Sequence, residues 1–195
     1  MTAVKKGVIL ILTVSIFMFL LEGCGGGVDY KSPEAIVKSL VRSYQDQNEQ
    51  AVKECYGLSE DEEVQEDIQK EINYNMRLFK AYQAVSIDFE KSDSLGKSGD
   101  SQLIYVWFNY KSKDAEQKCP VMSFYFVNEK DKRYFVIPAK DVTEEMSEYS
   151  RGAYERFMDT RTYKNYQKNF EEFQEKNPSY KESLNKRFSQ SANEI

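Results

Sequence analysis

Between Ala84 and Pro138 the apolar residues recur at every second position, whereas before and after that stretch they recur every third or fourth. A chain with that change of period has to set a sheet between two helical regions. Val85, Ile87 and Phe89 alternate with Ser86, Asp88 and Glu90, the pattern of a half-buried strand. Gln102 to Lys111 is apolar on both faces until its end and reads as a central strand, with 121–127 and 133–138 as the third and fourth. The polar connections at 92–101, 112–118 and 128–132 are short enough for hairpins. Gly96-Lys97-Ser98 falls in the first of them and is not a phosphate loop. Lys91 stands where that motif needs its first glycine, and a strand follows where it needs a helix.

Upstream, Ser32-Pro33-Glu34 supplies an N-cap, a proline at the first helical position and an acid in the first turn. Ile36, Val37, Leu40, Val41 and Tyr44 then share one helical face. A short second helix over 48–56 ends at Gly57. Ser59 with Glu62 predicts a capping box opening a third helix, whose buried stripe is Val64, Ile68, Ile72, Met76 and Phe79. The acids from Glu60 to Glu63, with Asp67, complement a helix dipole rather than hold a cation. Three helices followed by a four-stranded antiparallel meander predict an α+β domain over residues 32–140, with the helices on one sheet face.

Residues 141–195 read as further helices. Asp141 with Glu144 marks a start, and Val142, Met146, Tyr149, Ala153 and Phe157 line one side. After a weak break at Asp159-Thr160, Tyr163, Tyr166, Phe170 and Phe173 keep helical spacing, and Asn177-Pro178 opens a last helix with Tyr180, Leu184 and Phe188. The aromatic stripe has two readings. The helices fold back and complete the core, or Tyr166, Phe170 and Phe173 present a face to a partner protein.

At the other end, Lys5 and Lys6 precede an uncharged run from Gly7 to Leu21, and small residues follow. That is the layout of a secretory signal peptide, with an apolar part too short for a comfortable membrane span. Leu21-Glu22-Gly23-Cys24 resembles the lipobox of bacterial lipoproteins, although Glu22 fills a slot that is usually small and uncharged. The resemblance implies that residues 1–23 are removed and Cys24 is fatty-acylated at the extracytoplasmic face of the cell membrane. Two acyl chains give durable anchoring where one binds reversibly. Residues 24–31, with Gly25-Gly26-Gly27, then form a tether letting the domain stray about 16 Å from its lipid.

Charge and composition narrow the function. The net charge of −5 offers no basic stripe for nucleic acid, and residues 1–23 hold Lys5 and Lys6, so the remainder is more acidic still. There is no histidine, which removes the commonest metal ligand and the commonest acid–base catalyst near neutral pH. Cys55 and Cys119 alone make no zinc site; they are either a disulfide or two buried thiols. No cofactor is expected.

The opening SPEAIVKSLVRSYQDQNEQAVKECYGLS resembles small bacterial lipoprotein domains with a cystatin-like fold, related to nuclear transport factor two. That resemblance implies a bent sheet wrapping helices into a cone over about residues 32–138, with the C-terminal helices as an extension. It leaves function open, because that scaffold hosts enzymes and pure binding modules. The expected role is a non-catalytic module binding a small ligand or an envelope protein, with Tyr105, Trp107 and Tyr125 as pocket residues. One alternative is a partner-docking or immunity-type lipoprotein acting through the C-terminal helices. The other is a histidine-free enzyme with a carboxylate base and a tyrosine donor.

Overall fold

The computed structural model describes residues 27–59, 61–113 and 115–191. The expected export signal and the acylated Cys24 lie outside the described residues. Among the described residues six α-helices pack around one antiparallel sheet: α1 (Pro33–Gln45), α2 (Glu49–Cys55), α3 (Glu66–Tyr82), β1 (Ala84–Ser98), β2 (Ser101–Ser112), β3 (Cys119–Lys130), β4 (Arg133–Val136), α4 (Glu144–Met158), α5 (Arg161–Lys176) and α6 (Tyr180–Gln190). The strands lie in chain order, so the α+β class and the meander are as the sequence predicts.

Helix starts follow cap chemistry. Ser32, Asn48, Thr143 and Thr160 each accept a backbone N–H three residues on. Two expected starts move. Ser59 and Glu62 do form a box-like contact, with the Ser59 N–H donating to Glu62 Oε2 at 3.3 Å, but this closes an isolated turn. α3 begins only at Glu66, with acids Glu66 and Asp67 in its first turn. Likewise, residues 139–141 form a single 3-10 turn, and Thr143 rather than Asp141 caps α4.

β1 is longer than its alternation suggests. Three register slips, at 84/86, 89/91 and 94/97, let it pair with β2 as far as Ser98, so the expected loop over 92–101 shrinks to Gly99-Asp100. Gly96-Lys97-Ser98 is therefore bulged strand. Gly96 has φ +112°, and a Cβ there would collide with the Tyr149 hydroxyl, which donates to Leu95 O at 3.1 Å.

The register divides the core. Ile104 pairs with Tyr125, Val106 with Ser123 and Phe108 with Val121, so these side chains share one face; Leu103–Phe126, Tyr105–Phe124 and Trp107–Met122 share the other. The first face packs against Ile36, Val37, Leu40, Ile72 and Phe79 of α1 and α3. The second carries Met146 and Ala153 of α4, with Leu103 and Phe126. The three N-terminal helices thus lie on one sheet face, as the sequence predicts, and the C-terminal helices α4 and α5 cover the other. β2 is apolar on both sides because helices lie on both sides.

α5 continues along the second face, against β3. Its end and α6 then turn round the β2–β3 end of the sheet. Phe173 (3% exposed) and Tyr180 (8% exposed) join the first-face core, and α6 lands against α3. There Arg187 Nε donates to Ala81 O at 2.7 Å. The C-terminal helices complete the core, which is the first of the two readings of the aromatic stripe.

Candidate functional site

Because α5 and α6 wrap a sheet end rather than lie flat on a face, they leave a cleft of about 570 Å³ beneath their elbow. Tyr166, Phe170 and Phe173 of α5 form one wall, and Tyr180 and Leu184 of α6 another. Tyr82, Tyr110 and Cys119 close the floor, with Pro120, Val121 and Met122 at the start of β3. Gln174, Asn177, Lys181 and Asn185 stand at the rim.

The rings are ordered against one another. Tyr166 and Phe170 stack at 6.1 Å and 19°, and Tyr82 stacks on Tyr110 at 4.5 Å and 19°. Phe173 meets Tyr180 edge-on at 5.1 Å. The Tyr110 and Tyr180 hydroxyls lie 2.6 Å apart, so each buried phenol has a partner. Burial raises the pKa of both phenols and pushes the Cys119 thiol up to about 11. At neutral pH these groups stay protonated and neutral.

The residues expected to form a ligand pocket on the sheet are not brought together. Tyr105 packs on Phe157 of α4 at 4.5 Å, and Trp107 meets Tyr166 edge-on at 6.0 Å. Tyr125 lies on the opposite face, opposite Ile104, so the sheet itself separates it from the other two. Shared parity within each strand is not shared parity across the ladder, which depends on a register that sequence does not give. Trp107 nonetheless touches the back of the cleft wall through Tyr166. Tyr166, Phe170 and Phe173 do converge, as the inner wall of a cleft rather than as an outward face.

A second polar centre was not legible in sequence. Tyr56 Oη donates to Glu71 Oε1 at 2.8 Å, Tyr44 Oη lies 2.8 Å from Tyr56 Oη, and the Ala139 N–H donates to Glu71 Oε2 at 2.8 Å. The position of Glu71, three residues after Ile68 and beside Ile72, was the available signal. Both carboxylate oxygens are engaged by neutral donors, so Glu71 ties α3 to the segment after β4. Tyr56 also borders a larger groove of about 830 Å³ along the β3–β4 hairpin. That groove mixes Glu129, Lys130, Asp131 and Arg133 with turn backbone and has no comparable convergence of rings. The smaller aromatic cleft is the better candidate for a ligand site.

Cys55 and Cys119 are both free and buried. No group of three or more acidic or cysteine side chains suited to a metal ion occurs among the described residues. No protein-family model matches this sequence, and neither curated proteins nor solved structures give a match to it.

Proposed function

We propose that this chain is a lipid-anchored, extracytoplasmic binding module without catalytic chemistry of its own, and that the α5–α6 cleft holds its ligand. The observation that carries this reading is the convergence of Tyr166, Phe170, Phe173 and Tyr180 on one space of about 570 Å³. Aromatic walls with a few polar rim groups are the usual make-up of a small-molecule site. The protonated thiol and phenols of the floor support the same view, since none is poised to exchange a proton near neutral pH.

The anchoring half of the proposal draws on the sequence before Gly27 and on where the described chain begins. Val28 and Tyr30 pack on the core, and the Tyr134 N–H donates to Tyr30 O at 3.1 Å, so the chain starts along the β4 edge. Arg133 lies 3.8 Å over the Tyr30 ring, which fixes that start further. The expected tether over 24–31 is thereby shortened, because Val28 and Tyr30 belong to the folded domain, and an acylated Cys24 then holds the β4 edge nearest the bilayer. Along β3, Met122 of the cleft is separated from Glu129 beside β4 by about 23 Å. On this reading the cleft lies at the sheet end remote from the anchor, and its ligand arrives through water.

Mass spectrometry of the cell-derived protein tests the anchor. The N-terminal peptide should begin at Cys24 and carry a diacylglycerol thioether, and Cys24→Ala should abolish both processing and membrane retention. An unmodified Cys24 in the membrane fraction overturns it. Ligand retention tests the cleft: Tyr166→Ala with Phe170→Ala should lose whatever the wild type holds in native mass spectrometry. Equal retention by both proteins overturns that half.

A further inference from the structure

The chemistry of the cleft lining also specifies a class of ligand, an inference that rests on the cleft being the binding site. The chain carries 32 acidic against 27 basic residues, yet no carboxylate lines the cleft. Its single ionised side chain is Lys181, exposed at the rim. Lys181 sits in the first turn of α6, an 11-residue helix whose N-cap Ser179 makes no side-chain capping bond, so the positive end of the helix dipole adds to the ammonium. Glu182, the acid of that turn, is not part of the lining.

The apolar part has a shape as well. Tyr166 on Phe170 in the α5 wall and Tyr82 on Tyr110 in the floor form two ring stacks, each at 19°, and Pro120, Pro178 and Leu184 also line the cleft. Such surfaces favour a flat hydrophobic body over a polar chain. An acidic protein repels anions over most of its surface, so a carboxylate-free cavity with one cation at its mouth is selective by contrast. We propose that the cleft takes a water-soluble amphipathic anion: a flat, aromatic or cyclic apolar body bearing one negative group, the body between the ring stacks and the charge at Lys181.

The test compares an isosteric pair, naphthoate and naphthamide, by equilibrium dialysis against the full chain in nanodiscs, with empty nanodiscs as the blank. Naphthoate should bind more tightly than naphthamide. Lys181→Glu should weaken naphthoate about fivefold and leave naphthamide within about twofold, the scale of one exposed charge contact. Phe170→Ala should weaken both. If that variant does not fold, Asn185→Trp, which adds bulk at the exposed mouth, should block both instead. Equal affinity for the two probes, or naphthoate binding indifferent to Lys181→Glu, overturns the anionic preference and leaves the cleft standing. Binding that ignores both cleft variants, or no binding of either probe, overturns the cleft as the site.

Discussion

The hydroxyls of Tyr110 and Tyr180 meet at 2.6 Å in the interior, and this contact ties the central strand β2 to the last helix. The two residues are 70 positions apart, and Phe173, edge-on to Tyr180, carries the connection back to α5. Tyr180→Phe keeps the ring and removes the bond, at a cost of about 1 kcal/mol. Tyr180→Ala also opens the core and should cost about 3–5 kcal/mol. Denaturant melts of the two variants give both numbers. Equal losses would show that the hydroxyl pair, not the ring, holds α6.

Removal of residues 159–195 follows from the same packing. The deletion strips Phe173 and Tyr180 from the core and uncovers Tyr110, Tyr82 and part of β3. The truncated chain should lose its cooperative thermal transition and bind hydrophobic dyes. A truncated domain with a sharp transition would instead make the C-terminal helices an independent appendage.

How far the sequence exposes this architecture depends on the range of the interaction involved. Period and capping are local, so α1, α2, α5, α6 and the four strands are legible from Ser32, Asn48, Thr160 and the alternation after Ala84. Register is not local. Tyr105, Trp107 and Tyr125 look alike along the chain, and only the Ile104–Tyr125 pairing puts the third across the sheet from the other two. The bulges in β1 are likewise invisible until Gly96 is found under Tyr149. The cleft is half-legible. Its α5 wall follows from helical spacing, whereas the floor of Tyr82, Tyr110 and Cys119 requires knowing that α6 turns round the sheet end.

Gly96 makes the strand prediction specific. Alanine there meets both an unfavourable φ of +112° and the Tyr149 hydroxyl, so Gly96→Ala should destabilise by about 1–3 kcal/mol. Tyr149→Phe should recover part of that loss, because it removes the atom that the new methyl strikes. Additive losses in the double variant, measured by chemical denaturation, would place the strain in the backbone alone.

Alkali should unfold this protein in step with its phenols and thiols. Burial raises Tyr44, Tyr56, Tyr82 and Tyr110 above the ordinary value of 10.0, and Tyr125 up to about 12. Cys119 rises from 9.0 to about 11 and Cys55 to about 12. Well below pH 9 these groups hold their protons in both the native and the unfolded chain, so their contribution does not change with pH. Above pH 9, and more steeply above pH 10, the unfolded chain releases protons that the native chain keeps, so stability falls as pH rises. Native protein at pH 8 should therefore leave both described cysteines unreactive toward a disulfide reagent, and both should react at once in denaturant. The tyrosinate absorbance should rise in two parts, exposed phenols first near pH 10 and the buried set together with loss of circular dichroism. Buried phenols ionising with the fold intact would mean that the interior around Tyr110 and Tyr180 admits water.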